Sequence, residues 1–160
     1  ILGETGCRLS EVLGLSKYDV NREGDYYVLH IHENRCRGLK TTGSDRQIPL
    51  VSSYAVAALE KLLADTHTDY LFPTYAYDGL IRNLSASATL AKYLKSNFDG
   101  KTAHCLRHSM RDRLREAEVP LEAIDQIGGW SAVSNMGSSY GNGYSTDKLV
   151  EYLSKVALCD

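Results

Sequence analysis

The chain has 160 residues, 43% hydrophobic and 24% charged, with 18 basic against 20 acidic side chains for a formal charge of −2. That length fits a single domain with a core of its own and excludes a disordered or fibrous chain. No apolar run approaches the roughly 20 residues of a membrane-spanning helix, and Ile1 to Arg8 lack the basic and then apolar pattern of a signal peptide. The chain opens inside a helical pattern without an initiator Met, which reads as a piece of a longer protein. Cys7, Cys36, Cys105 and Cys159 form no Cys-x-x-Cys pair, so a disulfide scaffold and a zinc ribbon are both disfavoured and a reducing, cytoplasmic home is expected.

In chain order, Thr5 can cap a helix running through Val12 to Gly14, with Leu9, Val12 and Leu13 as its apolar stripe. Asn21 to Gly24 reads as a turn and Tyr26 to His32 as a strand. Arg37 to Lys40, a turn at Thr41 to Ser44, and Arg46 to Leu50 complete a small antiparallel sheet. Val51 to Ala64 has helical periodicity, with Ser52 or Ser53 as its cap. Asp69 to Asp78, interrupted by Pro73, reads as a loop. Further helices are predicted over Ser85 to Phe98, Leu106 to Ala117, and Pro120 to Ile127, the last stopped by Gly128-Gly129. Ser131 to Ser145 fits no regular element, and Asp147 to Val156 is an amphipathic helix. The layout is α+β: a predominantly helical single domain around a small three-stranded antiparallel sheet.

A charge of −2 argues against nucleic acid, but its distribution does not. Lys92 to Arg115 holds seven basic and two acidic residues, and Arg35 to Arg46 holds four against one. Arg35, Arg37, Arg46, Arg111 and Arg115 are therefore candidate DNA-backbone contacts, although charge clusters of this kind are most often solvated faces. His30, His32 and Cys36 offer three metal ligands without a fourth, and His104 with His108 has a zincin-like spacing but no Glu base. No metal site is assigned.

Four groups invite a common explanation: Arg8 in the first helix, Lys40 at a hairpin tip, His104-x-x-Arg107 opening a helix, and a late Tyr. Two guanidiniums can clamp the non-bridging oxygens of a phosphodiester as it becomes trigonal-bipyramidal. A Tyr hydroxyl, with a reference pKa near 10, attacks near neutrality only beside cations or a base. A Lys whose pKa is depressed by arginines can protonate the leaving alkoxide. Each of these residues alone is more simply a solvent-facing or capping residue, and only their joint order favours chemistry.

That order carries a resemblance. Thr5-Gly6-Cys7-Arg8-Leu9-Ser10-Glu11-Val12-Leu13 resembles the first arginine box of the tyrosine recombinases, or phage integrases; His104-Cys105-Leu106-Arg107-His108 resembles their second box. Lys40 ahead of Arg46-Gln47-Ile48-Pro49-Leu50 is similar to their hairpin lysine and following strand. The resemblance spans almost the whole chain and implies the tyrosine recombinase catalytic fold. It implies that Arg8 and Arg107 bind the scissile phosphate, that Glu11 buttresses Arg8, that Lys40 protonates the leaving 5′ oxygen, and that His104 serves in proton transfer or phosphate binding. Where the family usually has Leu-Gly-His, Ile127-Gly128-Gly129-Trp130 departs from it, and Trp130 takes the place of the histidine, as in some relatives. Tyr140, ten residues beyond Trp130, fits the family's nucleophile spacing better than Tyr144, at fourteen.

The implied activity is site-specific DNA recombination, of the integration or excision type, through a 3′-phosphotyrosyl intermediate, without metal or nucleotide cofactor. The implied partners are double-stranded DNA, further copies in a tetramer on DNA, and accessory DNA-bending proteins. Residues 1–160 then form the catalytic domain, and the upstream DNA-clamping domain of the family is expected to lie outside them. The terminal helix Asp147 to Val156 is either a docking element between protomers or a cap on its own core. Two other readings stand beside this one: a type IB topoisomerase, usually larger, and a non-catalytic DNA-binding module, disfavoured because all the reactive residue types are present.

Overall fold

The structure is a computed structural model and describes residues 1–39, 44–99, 101–130 and 143–158. A short helix α1 (Leu2–Thr5) ends where the predicted helix was to begin, and that helix is present only as α2 (Leu9–Leu13). The break has a local cause: Gly6 closes α1 in a left-handed conformation at φ 63°, and Arg8 is extended as the residue capping α2. Arg8 therefore sits at a helix N-terminus and not along a helical face.

A 3₁₀ turn at Lys17–Asp19 leads into the sheet, whose strands β1 (Val20–Glu23), β2 (Tyr26–Ile31) and β3 (Arg46–Leu50) pair antiparallel in sequence order. The number of strands agrees with the sequence reading, but their identity does not. The expected turn at Asn21 to Gly24 is largely β1, and residues 37–39 of the expected second strand pair with no strand. The Arg37 backbone N–H is spent on a local turn, donating to the Asn34 side chain at 2.8 Å and its carbonyl at 3.2 Å. The register sets Leu29 opposite Ile48 and Ile31 opposite Arg46, which brings a cation into a row of fully buried aliphatic residues.

The remaining elements are α3 (Ser53–Asp65), a two-stranded hairpin β4 (Ala76–Tyr77) and β5 (Leu80–Ile81), α4 (Asn83–Asn97), α5 (Ala103–Glu116), α6 (Leu121–Gly128) and α7 (Thr146–Ser154). The hairpin lies across the boundary of the predicted loop, turning at Asp78 and Gly79, both at positive φ. Helix α5 begins earlier than its apolar periodicity suggests, because Thr102 and Cys105 form a capping box, and this puts His104 in its first turn.

Helices α6 and α7 pack on β3, and α1 packs on α5. The core joins Leu29, Ile48 and Leu50 of the sheet to Leu114, Ile124, Ile127, Leu149 and Leu153 of those helices. In this single chain the apolar face of α7 is covered by its own domain. No helix among the described residues is long and apolar enough to cross a membrane.

Truncating Leu153→Ala should cost about 2–5 kcal/mol in urea unfolding, the range for a buried leucine that leaves a cavity. Leu84→Ala, at a position 86% exposed, should stay within about 0.5 kcal/mol.

Candidate active site

The first arginine of the site is held by a buried carboxylate. Glu11, one turn into α2, accepts the Arg8 backbone N–H at 2.8 Å and Arg8 Nη1 at 2.5 Å. From the opposite side Arg46 Nη2 donates to the other arm of Glu11 at 3.0 Å. Arg46 also donates from Nε to the Ile127 carbonyl and from Nη1 to the Ser44 carbonyl, at 2.9 and 2.8 Å. Arg8 in turn reaches the Ser44 hydroxyl at 3.2 Å and the Gly129 carbonyl at 3.3 Å. A single carboxylate therefore joins α2, the start of β3 and the end of α6. Burial alone would raise the Glu11 pKa, but the Arg46 charge and the hydrogen bonds from Arg46 and Arg8 reverse the effect and hold it below the usual carboxylate range.

The second arginine comes from the buried side of α5. Arg107 Nη1 donates to the carbonyls of Gly6 and Gly128, the latter at 2.6 Å, and its guanidinium lies 4.3 Å from the Trp130 ring centroid. The glycines are small for a reason. A Cβ on Gly128 would stand 1.8 Å from the indole, and one on Gly129, at φ +60°, would stand 2.6 Å from Arg46 Nη1. Gly128-Gly129 stops α6 and leaves room for both the indole and the Arg46 guanidinium. Burial, together with the like charges of Arg8 and Arg46, pulls the Arg107 pKa down to about 10. It remains a cation at neutrality, and the Glu11 carboxylate offsets only part of this effect.

Arg8 and Arg107 line one cleft of about 230 Å³ with Cys7, His104 and Thr102, and with Asn83 and Ser87 from α4. His104 is exposed, its ring 4.4 Å from that of His108. Burial pushes the Cys7 thiol up, so it adds no negative charge to the cleft. Of the residues singled out from sequence, Arg8, His104 and Arg107 line this cleft, while Glu11 contacts Arg8 and Trp130 contacts Arg107. Lys40 and Tyr140 lie outside the described residues.

The expected DNA contacts divide. Arg35 and Arg115 are exposed, but Arg37 and Arg46 are only 1% and 6% accessible and do not form a DNA face. Arg37 is spent inside, donating to the carbonyls of Glu11, His30 and His32 and to Asp19. Arg111 turns toward Asp125, at 3.3 Å, and Trp130. His30 pairs with Asp45 and His32 with Asp19; among the described residues no group of three or more His, Cys, Asp or Glu is placed to hold a metal. Sequence reasoning missed Arg46 as the partner of Glu11. The available signal was the even strand register, which puts Arg46 on the same face as Ile48 and Leu50.

The chain matches the phage integrase family over residues 1–145. It belongs to that family. No curated protein matches it. Among solved structures, this phage integrase family member is similar to the XerH site-specific recombinase bound to palindromic difH substrate in a post-cleavage complex. The TM-score is 0.60 at 19% identity, over 97% of this chain and 40% of that one. It is similar also to the Tn1549 transposon integrase in complex with transposon right end DNA, with a TM-score of 0.61 at 20% identity, over 94% of this chain and 54% of that one. The likeness is one of fold, and the chain spans about half the length of those proteins or less.

Glu11→Gln should remove about 3 kcal/mol of stability at neutral pH, because it leaves the buried guanidinium of Arg46 uncompensated. A carboxyl with a lowered folded pKa stabilises above its unfolded value, near 4.3, and loses that contribution as pH falls through the folded value. Native stability should therefore fall more steeply in acid than that of Glu11→Gln, as read by denaturation between pH 2 and 5.

Proposed function

We propose that this domain is the catalytic part of a tyrosine-type site-specific DNA recombinase, integrating or excising DNA by cutting and rejoining one strand at a time. The observation that carries this reading is the cleft shared by Arg8 and Arg107, where two guanidiniums are crowded by burial and by each other. A phosphodiester oxygen pair relieves that crowding, and relieves it more as the phosphorus becomes pentacoordinate and its charge grows. The DNA-bound states of the similar XerH and Tn1549 structures support double-stranded DNA as the ligand.

In the proposed reaction the Tyr140 hydroxyl attacks the phosphorus, and its proton passes to His104. The bond to the 5′ oxygen breaks, Lys40 protonates that oxygen, and the 3′ phosphate stays on the tyrosine. A new 5′-hydroxyl then attacks the phosphotyrosine and releases it. The exchange conserves the number of phosphoester bonds, so no energy source is required. A tetramer on DNA and accessory bending proteins are what the family resemblance adds to this scheme.

The described part of the C-terminal segment favours Tyr140 over Tyr144 as the nucleophile. The Tyr144 backbone is fixed to α6, its N–H donating to Gln126 Oε1 at 2.8 Å and its carbonyl accepting from Gln126 Nε2 at 3.0 Å. Its ring packs on Tyr152 of α7, at 5.7 Å between centroids. Desolvation, with the Tyr152 phenol nearby, holds the Tyr144 hydroxyl above its ordinary pKa, the wrong direction for a nucleophile.

On a nicked suicide substrate Tyr140→Phe should abolish the covalent protein–DNA adduct and Tyr144→Phe should retain it; an adduct that survives both substitutions rules out this chemistry. Lys40→Ala should slow cleavage of an ordinary phosphodiester by about 10²–10⁴, with the defect largely relieved by a 5′-bridging sulfur, which leaves without a proton. Equal defects on the two substrates would remove Lys40 as the acid.

A further inference from the structure

The surroundings of Trp130 contain a closed circuit of contacts that the chemistry above does not use. The Trp130 backbone N–H donates to the Asp125 carbonyl at 3.1 Å. The Asp125 carboxylate accepts from Arg111 Nη2 at 3.3 Å, and the Arg111 guanidinium lies 5.0 Å from the centroid of the Trp130 ring. Asp125 is buried, and Arg111 Nε is buried without a hydrogen-bond partner among the described residues. The Arg111 head group is thus located by one carboxylate and one aromatic ring.

Arg107 and Arg111 are one turn apart on α5, where two like charges repel. The indole draws in both, and Asp125 neutralises only Arg111. The Arg107 charge is left for a ligand in the cleft. We infer that Arg111 is a positioning residue: anchored by Asp125, it holds the Trp130 indole against Arg107 and so keeps that guanidinium aimed at the phosphate. This assigns Arg111 a role within the protein in place of the DNA contact read from sequence, and it rests on the reading of Arg107 as a phosphate ligand. Gly6 and Gly128 complete the seat, since a Cβ at either would stand 3.2 or 1.8 Å from the indole.

Trp130 is the only tryptophan in the chain, so its fluorescence reports on this seat directly. Arg111→Gln and Asp125→Asn should each shift the emission to longer wavelength as the ring gains water, and Arg111→Lys should keep more of the native spectrum. Arg111→Gln should slow adduct formation about tenfold or more with the salt dependence of DNA affinity unchanged. Added to Trp130→Ala it should slow the reaction no further, since both act through one contact. Native emission in both variants, with a log–log salt slope reduced by about 0.9 in Arg111→Gln, would identify an ordinary DNA contact and overturn the inference. If the native chain forms no adduct, the recombinase reading fails separately. Emission and inorganic phosphate affinity then decide the Arg111 role: the inference expects Arg111→Gln to alter both, and native values of both overturn it.

Discussion

The site depends on one buried carboxylate. Among the described residues Glu11 is the one carboxylate that meets Arg8 and Arg46 together, and through them it ties the N-terminus of α2 to the first residue of β3 and the end of α6. These segments are far apart in sequence. A carboxylate bridging two guanidiniums specifies both direction and distance, which nonpolar packing does not. Its burial is costly, and the several hydrogen bonds it accepts offset that cost.

The same construction explains how a chain of net charge −2 presents a cationic cleft. Several acidic residues pair with arginines that lie outside the cleft: Asp19 with Arg37, Glu4 with Arg113, Asp125 with Arg111. Arg107 has no carboxylate partner among the described residues; it is held by two carbonyls and an aromatic ring, which orient the cation without neutralising it. Positive charge is thus concentrated where an anion can enter, and net charge is a poor guide to it.

Arg8, Glu11, His104 and Arg107 were legible in the sequence because each sits in a short run of characteristic spacing, and those runs fall on single helices or their caps. The helices of the second half were legible too, since their periodicity and glycine stops are local. What escaped was decided by tertiary contact. Arg37 and Arg46 look like members of a basic island, yet their guanidiniums lie inside, because buried carbonyls and carboxylates elsewhere in the chain meet all of their needs. The helix expected from Thr5 to Gly14 starts only at Leu9, because Gly6 turns left-handed beside Trp130 and Met110, neighbours from distant segments. The anchoring of Tyr144, both of whose backbone groups bond to the Gln126 side chain, is likewise a contact between segments that spacing alone does not show.

In the proposed reaction Arg8 and Arg107 act together on one phosphate. This joint action is tested most directly by following the arginine side-chain nitrogen resonances of the isotopically labelled chain during titration with inorganic phosphate. Arg8 and Arg107 should shift along one saturable curve with a common midpoint, and Glu11→Gln should weaken both together. Shifts spread over the exposed Arg22, Arg35 and Arg115, with Arg8 and Arg107 unmoved or following different midpoints, would contradict it.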